Sequence, residues 1–178
     1  MNNAPERFDV YDLDGKKTGR VATLDEIVAE ELPIMTVAAW LVNRRGQILV
    51  HKDGKHEYNT FGEWRISIAG KVKAGEDSVA AVRREALEEL GLDISKDRFQ
   101  FIKTVFYNGP RYPAFFSDIY VVFTDTEISE MTPDAEEIAG LKWFGRDKLL
   151  NQIKDGLNVS RNFESRLYLL FEFLDKKS

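Results

Sequence analysis

Apolar and polar positions change rhythm along this chain often enough to mark its elements. ERFDVYD (6–12) alternates like a strand, and the Asp14-Gly15 turn in LDGKK sends it back, so 6–22 predicts a hairpin. Residues 24–31 predict a short helix. MTVAAWLVN (35–43) is an apolar strand, RRG turns it, and QILVHK (47–52) returns. A polar loop, DGKHEYNTFGE (53–63), leads to one short strand, WRISIAG (64–70). β-Branched and aromatic residues make strands of 99–108 and 115–125, with the breaker-rich GPRYPA (109–114) as the loop between them. AGLKWFG is another strand, and RDKLLNQIKDG a helix ended by Gly156. The segment 162–177 has apolar residues at 163, 167, 170, 171 and 174, a helical period. Strands interspersed with helices predict an α/β or α+β sandwich.

The least ordinary stretch is GKVKAGEDSVAAVRREALEELGL, 70–92. At about 100° per residue, Val79, Val82, Ala86 and Leu90 fall on one stripe that packs on the sheet. Glu85, Glu88 and Glu89 occupy an adjoining arc rather than the opposite, solvent-facing side. Like charges at Glu85 and Glu89, one turn apart, weaken an isolated helix. Arg84 stands four residues before Glu88, at ion-pair spacing. Asp77 or Ser78 caps the start, and Gly91 ends the helix in the left-handed conformation, with Leu92 tucking back. None of this requires clustered carboxylates. A hard divalent cation does: Mg²⁺ takes oxygen ligands and keeps open positions for substrate phosphates.

Composition narrows the field. The chain has 178 residues, 43% hydrophobic and 31% charged, and most simply makes one domain: 34–178 as core and C-terminal helix, 1–33 as an N-terminal extension. A net charge of −5 argues against nucleic acid or an anionic membrane as partner. There are no cysteines, which removes disulfides, thiolate metal sites and cysteine nucleophiles and fits a reducing, cytoplasmic setting. No apolar run approaches the length of a membrane span, and the first residues lack the apolar core of a signal peptide.

The 70–92 stretch resembles the signature box of the Nudix hydrolase superfamily: Gly70, Glu76, Arg84-Glu85, apolar Ala86, Glu88-Glu89, Gly91 and Leu92. Seven fixed letters at frequencies of roughly 7% coincide by chance in on the order of one window in 10⁸, which decides against a solvated acidic face. FDVYDLDGKKTG, AAWLVNRRGQILV and GEWRISIAGKVKAGE are similar to the branch that includes isopentenyl-diphosphate isomerase. That enzyme uses a catalytic cysteine, absent here, and Gly70 is followed by Lys71 where the branch often has histidine, so isomerisation is the weaker alternative.

The resemblance implies a Nudix-fold α/β/α sandwich with a mixed sheet and an N-terminal hairpin extension. It implies hydrolysis of a diphosphate linkage in a nucleoside diphosphate derivative or other small organic diphosphate, dependent on Mg²⁺ or Mn²⁺. Glu85 and Glu89 would ligate the metal, Glu88 directly or through water, with the Ala69 carbonyl as a further ligand. Glu76 and Arg84 would pair and orient the helix. The general base would be a box glutamate or Glu137, six residues before Trp143. A ligand-binding domain without catalysis is the other alternative, and a homodimer is the candidate assembly. Lys52, Lys55 and Arg65 are candidate substrate contacts, since an acidic site needs compensating cations, and Arg111 and Tyr112 are candidates to hold a nucleobase. His51 and His56 are expected to be solvent-side polar residues.

Overall fold

The computed structural model describes residues 4–54, 62–109 and 112–177, with the backbone alone at Tyr112. The candidate contacts Lys55, Arg111 and the Tyr112 side chain, like His56, lie outside the described residues. Strands β1 (Arg7–Tyr11) and β2 (Lys17–Thr23) form the predicted hairpin, followed by helix α1 (Leu24–Glu30). Its cap is reciprocal: the Thr23 hydroxyl accepts from the Glu26 N–H and the Glu26 carboxylate accepts from the Thr23 N–H. Then come β3 (Ile34–Val42), β4 (Ile48–Asp53), β5 (Trp64–Ile66), β6 (Ile68–Lys71) and α2 (Ser78–Leu90). The chain continues through β7 (Arg98–Gly109), β8 (Tyr112–Phe123), a 3₁₀ turn at Ile128–Glu130, β9 (Ile138–Phe144), α3 (Arg146–Lys154) and α4 (Phe163–Asp175).

The strands join in one curled mixed sheet with β3 at its centre. β8 runs parallel to β3, from Ile34↔Phe115 to Val42↔Phe123, and β6 and β7 pair antiparallel with β3 and β8. β4 meets β3 only at Val42↔Ile48, then splays away to pair with β5 and β9. Alternation along β3 divides the core in two. Val37, Ala39 and Leu41 face α2, whose Ala81, Val82, Ala86 and Leu90 are buried against them. Ala38, Trp40 and Val42 face Leu149 of α3 and Phe163, Leu167, Leu170 and Phe171 of α4. This is the α/β/α sandwich expected.

Two expectations are corrected. WRISIAG is two strands, not one. Ser67 breaks it where β3 and β4 diverge: its buried hydroxyl accepts from the Leu41 N–H at 2.9 Å and donates to the Leu49 carbonyl at 2.6 Å. Where a loop was expected at 109–114, the described residues are strand: Gly109 pairs with Tyr112 and Pro113 lies within β8.

Candidate active site

The acidic helix begins where the sequence places it. The Asp77 carboxylate accepts from the Ala80 N–H at 2.7 Å, so Asp77 is the cap, while the Ser78 hydroxyl donates to Asp118 at 2.5 Å. At the other end Gly91 adopts φ 61°, and the Leu92 N–H returns to the Ala86 carbonyl. A methyl group on Gly91 would overlap the Thr132 side chain, so left-handed backbone and close approach both demand glycine.

The loop between β6 and α2 is held from both sides. Glu76 accepts the Lys73 N–H at 3.0 Å. On the hairpin side, the Arg7 carbonyl accepts from the Ala74 N–H, the Asp9 carboxylate from the Gly75 N–H, and Glu6 pairs with Lys73 at 2.7 Å. The N-terminal extension therefore braces the loop that leads into α2.

Arg84 is the hub. Its Nε and Nη2 fork onto the two Glu76 oxygens, each at 3.0 Å; Nη1 reaches Glu85 at 2.8 Å and Glu88 at 2.9 Å; Nη2 also donates to the Lys71 carbonyl at 2.8 Å. The geometry brings together the expected Glu76–Arg84 pair and the Arg84–Glu88 pair. Burial alone would raise the Glu76 pKa, but the Arg84 fork and the Lys73 N–H outweigh it and hold the carboxyl below its ordinary value. For Arg84, burial is likewise outweighed by its carboxylates, which push its pKa up.

Glu85 and Glu89 behave oppositely to Glu76. Burial lifts the Glu85 carboxyl above its ordinary value despite Arg84. Its side chain lies against Gly70, where any Cβ would overlap the carboxylate, so the first glycine of the motif makes room for it. Glu89 accepts from the Ala69 N–H, yet burial, then the charges of Glu85, Glu137 and Asp53, raise its pKa well above the usual range. Its Oε2 is buried with no hydrogen-bond partner among the described residues. Glu88 stands outermost, with its side chain half exposed. Glu137 enters from the loop before β9, where its carbonyl accepts the Gly54 N–H at 2.7 Å and its charge bears on Glu89.

Three further residues were missed or misread. Asp53, at the end of β4, is buried and felt by Glu89. Alternation from Leu49 through His51 to Asp53 puts all three on the α2 face, the one signal that would have found it. Arg65 lies on the same face, but its guanidinium meets Asp53 at 2.5 Å and Glu63 at 3.6 Å, so its charge is spent inside the protein. His51 is buried, contrary to expectation, with Nδ1 3.3 Å from the Ser67 carbonyl and Nε2 3.7 Å from Asp53. Lys52 alternates to the α4 face and lies along Gly62.

A buried carboxylate oxygen without a partner, crowded by three other carboxylates, is a poor arrangement for a folded chain alone. It suits a cation. All the donors are hard oxygens, the preference of Mg²⁺ or Mn²⁺. Among the described residues no three such side chains converge closely enough to hold an ion as placed, so the fit lies in donor chemistry and charge.

A sandwich carrying a helix-borne carboxylate cluster, locked by an arginine and bordered by the sheet, defines an enzyme of the diphosphohydrolase class. The NUDIX domain family matches residues 32–167, and the chain belongs to that family. Nudix hydrolase lin0387 of Listeria innocua is 29% identical over 167 residues, 93% of this chain and 95% of that protein. DR0079 of Deinococcus radiodurans shares the fold with a TM-score of 0.70 at 23% identity, over 88% of this chain and 94% of that one. The NUDIX domain of Shewanella oneidensis NrtR, solved with ADP ribose, gives a TM-score of 0.61 at 15% identity, over 79% of this chain and 87% of its own. No helix among the described residues is long and apolar enough to cross a membrane.

Proposed function

We propose that this enzyme hydrolyses a diphosphate linkage in a nucleoside diphosphate derivative or other small organic diphosphate, using Mg²⁺ or Mn²⁺. The observation that carries this reading is the buried, partnerless Oε2 of Glu89 among Glu85, Glu137 and Asp53. Glu85 and Glu89 hold the cation, with Glu88 direct or through water and the Ala69 carbonyl completing the protein's donors. Bound there, the cation neutralises charge that develops on the diphosphate during attack by water. Arg84 keeps the helix aimed by gripping Glu76 and Glu85. Glu137 or a box glutamate takes the proton from the attacking water. ADP ribose, bound by the NrtR domain, has a linkage of this class.

The chain works as one domain, 34–178 with the 1–33 extension, on a small molecule in the cytoplasm, without nucleic-acid or membrane partners; a homodimer is its candidate assembly. The test is a phosphate-release screen across nucleoside di- and triphosphates, nucleotide sugars including ADP ribose, and prenyl diphosphates, with Mg²⁺, Mn²⁺ or EDTA. Chelator should abolish turnover, and Glu85→Gln or Glu89→Gln should cut it at least ~10²-fold, since electrostatic stabilisation is usually the largest contribution. Full activity in EDTA would exclude the metal role.

A further inference from the structure

We propose that the N-terminal hairpin is part of the catalytic apparatus, with Asp9 as a positioning residue that fixes the turn before α2 and, through Glu76 and Arg84, the aim of Glu85 and Glu88. This rests on the diphosphatase reading and adds to it an element that precedes the matched NUDIX segment, residues 32–167.

FDVYDLDGKKTG, a motif that hydrolysis leaves unused, builds this hairpin. Phe8 and Val10 are buried with Ala22, Ile27 and Ile34 in a small core of their own. Asp12 closes the turn of the hairpin, its carboxylate accepting from the Asp14 N–H at 3.0 Å and the Lys16 N–H at 2.8 Å. Val10 pairs with Ile34 of β3, and the Tyr11 N–H donates to the Pro33 carbonyl at 2.8 Å, so the hairpin is mounted on the sheet. Asp9 alternates away from Phe8 and Val10 and meets Lys17 across the hairpin at 2.7 Å. The Lys17 ammonium, with the Gly75 N–H, holds the Asp9 carboxyl below its ordinary value, so it remains a charged acceptor.

The turn it grips is short and built on glycine. The Glu76 N–H donates to the Lys73 carbonyl at 3.0 Å, and Gly75 adopts φ 79° with open space where a Cβ would stand. Glycine is the residue least able to hold one conformation unaided. Two donors of the turn are taken by β1: the Ala74 N–H by the Arg7 carbonyl at 2.8 Å, and the Gly75 N–H by the Asp9 carboxylate at 3.1 Å. Ala74 and Gly75 are exposed, so water would satisfy both donors if the hairpin did not. These bonds therefore stabilise the fold little and instead select one position of the turn.

From that position the link to the acidic helix is direct. Glu76 follows Gly75 and grips Arg84 through two bonds of 3.0 Å, and Arg84 Nη1 reaches Glu85 at 2.8 Å and Glu88 at 2.9 Å. Glu6 adds a parallel link, through Lys73 at 2.7 Å and on to Glu88 at 3.9 Å. A misplacement of about 1 Å can cost on the order of 10²-fold in rate, so a brace with little effect on stability has a large one on turnover.

The test compares the parent with Asp9→Ala, with Asp9→Asn, whose amide oxygen still accepts from Gly75, and with Arg20→Met. The last breaks the exposed Arg20–Glu30 pair and weakens the extension away from the turn. In metal-free protein the Gly75 amide NMR signal should move upfield in Asp9→Ala and stay in place in Arg20→Met. The Mg²⁺ concentration at the midpoint of the Tm rise should increase about 3-fold or more in Asp9→Ala. For the best substrate of the phosphate-release screen, kcat should fall about 10-fold or more in Asp9→Ala with KM within about 2-fold, and Asp9→Asn should recover to within about 3-fold of the parent. Added to Arg84→Met, Asp9→Ala should lower kcat by less than about 2-fold more, because the brace acts through Arg84. Parental kcat and Mg²⁺ midpoint in Asp9→Ala overturn the inference. So does a loss that Arg20→Met reproduces, which marks the hairpin as support for the fold alone. An asparagine variant as poor as the alanine one assigns the effect to the Lys17 pair and overturns the role of the Gly75 bond. Asp9→Ser, too short to reach Gly75, takes the place of the alanine variant should that not fold. If the parent itself neither gains Tm from Mg²⁺ nor turns over any substrate, the diphosphatase reading falls as well; a parent that does both beside an unaffected Asp9→Ala overturns this inference alone.

Discussion

Replacing Arg84 with methionine keeps the aliphatic stem and removes the charge that three carboxylates share. Glu76 and Glu85, 16% and 14% exposed, would then lie against the sheet without their counter-ion. Removing one partner of a fully buried pair costs about 3–5 kcal/mol; because both carboxylates keep some contact with water, and Glu76 retains the Lys73 N–H, the loss here is about 2–3 kcal/mol. In a chain of this length that lowers Tm by about 4–12 °C. Urea unfolding of Arg84→Met, Glu76→Gln and the double variant isolates the pair, because neutralising the stranded carboxylate restores part of the loss; a coupling of at least about 1 kcal/mol is expected. Acid gives a second readout. The folded-state pKa of Glu76 lies below its ordinary value, so its contribution is complete above the ordinary carboxylate range and is lost as pH falls through the folded value. Arg84→Met should therefore lose less stability than the parent across that window. Additive single variants with an unchanged acid limb would refute the reasoning.

Three further outcomes follow from neighbouring contacts. Gly70→Ala places a methyl group inside the Glu85 carboxylate, so turnover should fall on the order of 10²-fold while circular dichroism keeps the native fold; near-parental kcat would show that Glu85 relocates at no cost. Glu89→Gln removes a crowded buried charge, so the metal-free variant should melt no lower than the parent, and Mg²⁺ should no longer raise its Tm. A less stable metal-free variant would count against the crowding argument. Arg65→Met strands Asp53, which is 4% exposed, and should cost about 3–5 kcal/mol by chemical denaturation, with KM for the best substrate nearly unchanged. A large KM rise without stability loss would restore Arg65 as a substrate contact.

What was legible in the sequence was local. The cap at Asp77 or Ser78, the Arg84–Glu88 pair, the glycine stop and the carboxylate arc all lie within one helix and its ends, so spacing alone points to them. The misreadings came from distant neighbours. The Ser67 break exists because β3 and β4 diverge, and its hydroxyl bridges backbone from both. GPRYPA has the composition of a loop, yet Pro113 is tolerated in β8 because pairing with β3 begins only at Phe115, so its missing N–H removes no bond on that side. His51 looks polar after an apolar run, but β5 and β9 flank it on both edges and bury it. Arg65 makes the same point about function. The acidic site invited it as the phosphate contact. Folding sets Asp53 against Arg65, 12 residues away. Which cation remains available to an anion is therefore decided by tertiary pairing, and a sequence-level search for compensating charge finds the residue type without the residue.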